Sequence, residues 1–419
     1  MKYVLILIFI VFSNSCANQQ DYEIELQEDF PISEISSLQV LGDTILITDK
    51  ISGGMFIFYR EDGSLMKSIF PSYHDSDSLY SVYQNVEYKK RKDIIDEYLE
   101  KYSPGLKYAS NYEILELRGT SDTNLLKKNI QNSYFYTYFL SNKLLSFGKF
   151  DLNSIYKDPS GEYNRWRKNP LGVIVLFDNG QRIFNTFDPL MIDSIYYNAS
   201  PYDVRYHSKN NAISAQLTYG QIGNSTTKEF IPIGLFDLEG EYLEPLFRLN
   251  EVEVQKFFKT LSAPIFGNDK IKATISTTPI VVEMGMNKFI VAYQESNIFV
   301  LCQKIKGKYE KQILKFDELN YIGDSRIQDD NKKRNIIMNG FSKNDSTLVV
   351  HVMELKGIKN KKLKKIEYDI NTGKQLKSIE IPRVFGPKSV IYSKYAGESD
   401  KTILILRDND GVYYREVKL

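Results

Sequence analysis

Short apolar runs, broken by acidic, Asn and Gly residues, set the rhythm of this chain. Residues 57–65 read as an apolar strand, the turn Arg60-Glu61-Asp62-Gly63, and the start of a second strand. The phrase returns with variation at 175–183, 234–242, 366–376 and 404–414. Asn and Asp tolerate a left-handed backbone and Gly takes a positive φ without steric cost, so each phrase predicts a hairpin. We read the five as outer hairpins of a repeated unit. Residues 38–49 add two strands about Gly42-Asp43, and apolar strands at 143–147, 212–217, 288–293 and 346–352 are expected as the inner strands of such units.

Helical patterning is sparse. Residues 87–102 form the best helix, with Ile94, Ile95, Tyr98, Leu99 and Tyr102 on one face and Pro104-Gly105 to stop it. A second candidate spans 251–261, with Asn250 as its cap and Pro264 beyond its end. The first sits in an insertion at about 71–108 and decorates one face of the fold. The alternating segment 22–26 is expected to pair with 413–417 near the other end of the chain, which would remove two free sheet edges.

Four-stranded antiparallel units placed radially build a β-propeller, so the expected class is all-β, one propeller over 22–419 with a short helical insertion. Six blades fit best and seven or eight are compatible, because the chain allots roughly 50 to 67 residues to each blade. In architecture the chain resembles the six-bladed-propeller-like lipoproteins of Bacteroidota, including the group related to TolB-like propellers. The resemblance covers nearly the whole chain but rests on loose motifs, and it carries over no functional residue.

The start of the chain is patterned differently. Lys2 gives a positive beginning, residues 4–12 are an unbroken apolar run, and Ser13-Asn14-Ser15 precede Cys16. That run is too short to cross a bilayer as a mature helix, which needs ~20 residues, and it suits the core of a signal peptide. Ser13-Asn14-Ser15-Cys16 resembles the lipobox of bacterial lipoproteins, with Ser13 where Leu is usual, as in the looser boxes of Bacteroidota. The resemblance implies a signal peptide at 1–15, lipidation of Cys16 and a tether at 16–21. It places the protein in the bacterial cell envelope, on the outer membrane, with the periplasmic and surface sides both open. Cys302, the other cysteine, follows Ile298-Phe299-Val300-Leu301 and reads as a buried small hydrophobe.

Composition narrows the partners. With 54 Lys and Arg against 53 Asp and Glu, no global field attracts polyanions, and nucleic acid is excluded as a partner. The Lys-rich segment 356–365 reads as a solvated hairpin tip. The three His, at 74, 207 and 351, match no metal-ligand spacing, and His351 between Val350 and Val352 reads as a face position in a sheet. Residues 202–206, just before His207, fit either a polar strand end near a central channel or a solvated edge. Asp408-Asn409-Asp410-Gly411 opens like a calcium loop but lacks the acidic twelfth position, and reads as a turn. No metal or other cofactor is implied.

Aromatic residues alternate at 134–139, which places one face of that strand in the core. Tyr163, Arg165, Trp166 and Arg167 are the candidate ligand contacts. Asp43-Thr44-Ile45, Asp77-Ser78-Leu79, Asp193-Ser194-Ile195 and Asp345-Ser346-Thr347 resemble the O-glycosylation sites of exported Bacteroidota proteins, with Ser78 the best candidate. The expectation is a non-catalytic binding module, attached to the membrane through Cys16, with an envelope protein or glycan as partner. Two alternatives are a hydrolase or lactonase with a metal in the central channel, and an accessory glycan-binding lipoprotein.

Overall fold

The Asp and Gly residues of the recurring phrase do what their chemistry requires in the computed structural model. Asp62 Oδ1 accepts the Ser64 N–H at 2.9 Å, Asp237 Oδ1 that of Glu241 at 2.8 Å, and Asp369 Oδ1 that of Asn371 at 2.8 Å. Asp408 Oδ1 accepts the N–H groups of Asp410 and Gly411 at 2.9 and 3.0 Å, so this segment is a turn, as its missing acidic position indicated. Gly63, Gly240 and Gly373 take φ of 72°, 92° and 71°.

The structure describes residues 22–27, 32–70, 130–140, 143–152, 156–157, 163–164, 171–178, 181–187, 190–192, 195–220, 229–250, 253, 279–294, 298–316, 333–356, 360–396 and 400–418. The segments expected as signal peptide, tether and helix, at 1–15, 16–21 and 87–102, lie outside them, as do Cys16, His74 and Ser78. So do Arg165, Trp166 and Arg167.

Six antiparallel sheets follow one another along the chain. Blade 1 runs outward through Ile35–Leu41, Thr44–Asp49, Met55–Tyr59 and Leu65–Ile69. Blade 2 uses Ile130–Leu140, Lys143–Leu152, Leu171–Asp178 and Gln181–Thr186. Blade 3 uses Ile195–His207, Ala212–Gly220, Glu229–Phe236 and Tyr242–Asn250, with Leu190–Ile192 beside its first strand. Blade 4 uses Pro279–Gly285, Lys288–Tyr293, Ile298–Ile305 and Lys308–Lys315. Blade 5 uses Lys333–Asn344, Thr347–Lys356, Asn360–Asp369 and Gln375–Ile381.

Blade 6 takes Lys388–Ala396, Lys401–Arg407 and Val412–Val417 from the end of the chain and its outer strand, Tyr22–Leu26, from the beginning. The pairing runs Tyr22 to Glu416 through Leu26 to Val412, as the alternation at 22–26 predicted. First strands of neighbouring blades touch in cyclic order, and blade 6 returns to blade 1. The ring therefore has six blades.

Four of the five phrases join the third strand of a blade to its fourth, which bears out their reading as outer hairpins, whereas 404–414 joins the second strand of blade 6 to its third because the fourth comes from the start of the chain. Blade 4 joins its third strand to its fourth through Lys306-Gly307, both at positive φ, without an Asp. The strands expected as inner ones lie one position out from the axis. Those at 143, 212, 288 and 347 are the second strands of their blades. A second strand is covered on both faces by the adjacent blades, so it reads as a continuous apolar run; a first strand borders the axis and alternates with polar residues. Thus Ala212 to Leu217 and Phe289 to Tyr293 are buried throughout, and Leu348, Val349 and Val350 are fully buried.

Faces between blades hold the core. Phe187, Phe236, Leu249 and Phe289 belong to the cluster that spans blades 2 to 4, Phe299, Phe316 and Tyr368 to that of blades 4 and 5, and Phe56, Phe58, Ile405 and Tyr414 to that of blades 6 and 1. Cys302 lies in the first of these, wholly buried, and burial pushes its thiol far above the usual range, in keeping with a packing role. Asn250 and Glu253 form a reciprocal capping box: Asn250 Oδ1 accepts the Glu253 N–H at 2.9 Å while Glu253 Oε2 accepts the Asn250 N–H at 2.9 Å. The rest of 251–261 lies outside the described residues.

Candidate functional site

Three first strands each carry two side chains of one parity toward the axis. Blade 2 contributes Tyr136 and Tyr138, blade 3 Asp203 and Arg205, and blade 6 Tyr392 and Lys394. Residues two apart on a strand share a face, and the intervening Thr137, Val204 and Ser393 are buried. Blades 3 and 6 stand opposite each other in a ring of six, so their side chains face each other across the axis. Arg205 acts electrostatically on Tyr136, Tyr138, Tyr392 and Lys394, so its charge is within reach of the side chains of blades 2 and 6.

All six side chains are half-buried. They retain open surface although they stand on first strands, which border the axis. Tyr138 packs edge-on against Phe147 and Tyr206, with ring centroids 5.7 and 6.0 Å apart. Lys394 Nζ donates to the Leu38 carbonyl of blade 1 at 2.8 Å. Asn339 of blade 5 donates to the Ser393 carbonyl at 3.2 Å and bonds to the Tyr392 side chain. Five blades thus reach the cluster.

Its electrostatics are unbalanced. Burial pushes the Asp203 carboxyl up to about 6, against the pull of Arg205 and a hydrogen bond from Ser200. Burial, and then the positive charge of Arg205, push the Lys394 ammonium down to about 8. The Tyr392 phenol rises to about 12 and those of Tyr136 and Tyr138 rise as well, all through burial. Arg205 has no hydrogen-bond or ion-pair partner among the described residues. Its charge faces one carboxylate, two residues away on its own strand, and a second cation.

The seams between blades are polar in a different way. At blades 5 and 6, Lys343 pairs with Glu367 at 3.1 Å and Asp400 at 3.3 Å, while the buried Lys365 lies 3.6 and 3.7 Å from the same two groups and over the Tyr395 ring. This revises the solvated reading of 356–365: Lys362 is exposed and pairs with Glu380, whereas Lys365 enters the interior of the seam. His351 is wholly buried in its sheet, as its alternation predicted, with Nδ1 3.0 Å from Ser393 Oγ. His207 lies buried with Nε2 2.8 Å from Ser214 Oγ. Burial holds both imidazoles down to about 3, so they are neutral packing groups across the physiological range.

Residues 202–206, left open between a channel and a solvated edge, form the end of a first strand at the axis. The remaining axial residues went unrecognised because they are dispersed over the sequence. Their signal is a pair of polar or aromatic residues around one buried residue, as in Tyr136-Thr137-Tyr138, Asp203-Val204-Arg205 and Tyr392-Ser393-Lys394. Of the expected ligand contacts, only Tyr163 falls within the described backbone, in the two-stranded pairing of Tyr156–Lys157 with Tyr163–Asn164. Among the described residues no group of three His, Cys, Asp or Glu could hold a metal ion.

Fold and site together define a six-bladed β-propeller with an enclosed, cationic and tyrosine-rich cluster on its axis. No family model matches the chain, and no curated protein matches it. Among solved structures it is similar to the Cps50 (Swd1) β-propeller domain of Myceliophteria thermophila, with 9% identity, a TM-score of 0.41, and coverage of 95% of this chain and 99% of that one. It is also similar to a Bacteroides fragilis protein described as exported, with 10% identity, a TM-score of 0.39, and coverage of 95% and 94%.

Proposed function

We propose that the protein is a lipid-anchored propeller of the bacterial outer membrane that binds an envelope component at its axis without transforming it. One observation carries the binding reading: Arg205 stands on the axis, half-buried and without a hydrogen-bond or ion-pair partner among the described residues. A half-buried guanidinium with no acceptor on a described residue offers its donors to a ligand that supplies one. The hydrolase or lactonase reading finds no clustered metal donors among the described residues. The axial tyrosines favour a glycan over a protein as partner, since a Tyr ring offers an apolar face and a polar tip.

Anchoring rests on the apolar run at 4–12 and on Cys16, whose acyl chains would contribute ~0.8 kcal/mol per buried CH₂. Metabolic labelling with an alkyne fatty acid tests it: label is expected on the native protein and absent from Cys16→Ser. Binding is tested by passing detergent-solubilised envelope over the immobilised protein, with free protein as competitor. A component retained and then displaced by competitor supports the reading. Conversion of that component on the column overturns the non-catalytic part.

A further inference from the structure

We infer that the axial cluster is a binding site for a small organic acid, a carboxylate or phosphate on a ring-shaped body, seated with its oxyanion on Arg205 and Lys394 and its ring against Tyr136, Tyr138 and Tyr392. This deepens the binding reading and rests on it.

Charge comes first. Two cations, Arg205 of blade 3 and Lys394 of blade 6, face the axis from opposite sides of the ring and act on each other electrostatically, with Asp203 two residues from Arg205 on its strand. Lys394 donates to a neutral carbonyl and Arg205 donates to no described group. The two positive charges repel each other, and burial removes the water that would screen them. An anion reverses every one of these terms: it supplies acceptors for the planar guanidinium fork, it neutralises the repulsion between the two cations, and it does so where screening is weak. A cationic ligand would worsen all three. A neutral one would leave the charge imbalance in place.

Shape comes second. The three tyrosines stand on the strands of blades 2 and 6 and remain half-open, and Tyr138 is held by edge contacts to Phe147 and Tyr206. Phenol rings that face the axis with part of their surface open favour a flat or cyclic body over a flexible chain. Because the cluster is enclosed by first strands from five blades, the ligand is small rather than a polymer segment threaded along the surface.

The full chain, purified in detergent, is titrated calorimetrically with D-glucuronate, benzoate and inorganic phosphate, and with the neutral probes D-glucose and benzyl alcohol. The ring acids are expected to bind with Kd of about 1 mM or tighter. The neutral probes and bare phosphate should bind at least about tenfold more weakly. Arg205→Gln is expected to reduce acid binding roughly 10- to 100-fold without changing the melting temperature, since it removes charged hydrogen bonds made only to the ligand. A second readout is the titration of Lys394 by side-chain NMR: its pKa rises on saturation with acid, and rises in Arg205→Gln even without ligand. The inference is overturned if acids and neutral probes bind alike, if Arg205→Gln binds the acids as the parent does, or if no acid binds. If an envelope component is retained equally by the parent and by Arg205→Gln, the binding-module reading survives and the axis is not its seat.

Discussion

The seam between blades 6 and 1 and the axis of the ring draw on the same kinds of side chain and use them oppositely. At the seam, Glu416 accepts from Tyr414 at 2.5 Å and from Lys401 at 3.0 Å and pairs with Arg60. Beside the seam, within blade 6, Glu23 pairs with Lys388 at 2.5 Å and with Arg415 at 3.1 Å. Burial opposes the Glu416 charge, but the bonds from Tyr414 and Lys401 and the charge of Arg60 hold its carboxyl below the usual range. On the axis the displacements run the other way: Asp203 is held up, Lys394 is held down, and Arg205 faces both without a bond. Seam charges stabilise the fold, whereas on the axis burial opposes the charges of Asp203 and Lys394, and perturbed groups of that kind mark candidate binding sites.

Breaking the seam should have the largest effect. Gly63 sits at φ 72° in the outer hairpin of blade 1, and a Cβ there would lie 1.9 Å from the Glu25 carbonyl oxygen of the closing strand. Gly63→Ala is expected to cost about 4 kcal/mol, combining left-handed strain with displacement of that strand. Urea unfolding measures it, and a loss under ~1 kcal/mol would show that closure does not depend on this contact. Glu416→Ala comes next at about 3 kcal/mol, because it leaves Arg60, Lys401 and the Tyr414 hydroxyl without their shared acceptor. Its urea midpoint should fall accordingly.

Acid tests the interior next. His207 and His351 have folded pKa values of about 3, below the unfolded value of ~6.5, so the unfolded chain takes up these protons first. Stability is therefore complete above pH ~6.5 and declines as pH falls toward 3, by up to about 1.4 kcal/mol per pH unit for each ring. Urea midpoints between pH 6.5 and 4.5 should show the slope, and His351→Gln should roughly halve it; an unchanged slope would mean that His351 titrates freely.

On the axis the sign inverts. Asp203 is held at about 6, so its contribution is present below the ordinary carboxylate pKa and is lost as pH rises toward 6. Asp203→Asn should accordingly raise stability at pH 7 by about 1 kcal/mol, with the gain fading below pH 4. Destabilisation at pH 7 would make Asp203 a structural partner of Arg205. The smallest effect is expected for Arg205→Gln, within about 0.5 kcal/mol of the parent. A loss above ~2 kcal/mol would erase the contrast between axis and seam.

What could be read from the sequence was local or terminal. Asp62-Gly63, Asp237-Leu238-Glu239-Gly240 and Asp408-Asn409-Asp410-Gly411 announce their hairpins because turn chemistry acts over four or five neighbouring residues. Blade 4 hid its outer turn in Lys306-Gly307, where a Lys at φ 49° takes the place of Asn. The alternation at 22–26 showed a strand in need of a partner. The apolar runs near 212 and 348 were displaced by one strand because burial on two faces, rather than nearness to the axis, makes a strand look central. The axial site was the least legible part, since Tyr136, Arg205 and Lys394 become neighbours only when the ring closes.

That closure also sets an order of events. Glu23 and Arg415, paired between the outer two strands of blade 6, are separated by 392 residues, nearly the full span of the chain. The loop that joins them is the costliest to close, and contacts of such separation form slowly. Until the final strand emerges from synthesis, 22–26 has nothing to pair with and remains an open edge able to capture another chain. The first strand made is therefore the last to find its place, and five blades must wait for the sixth before the axis exists.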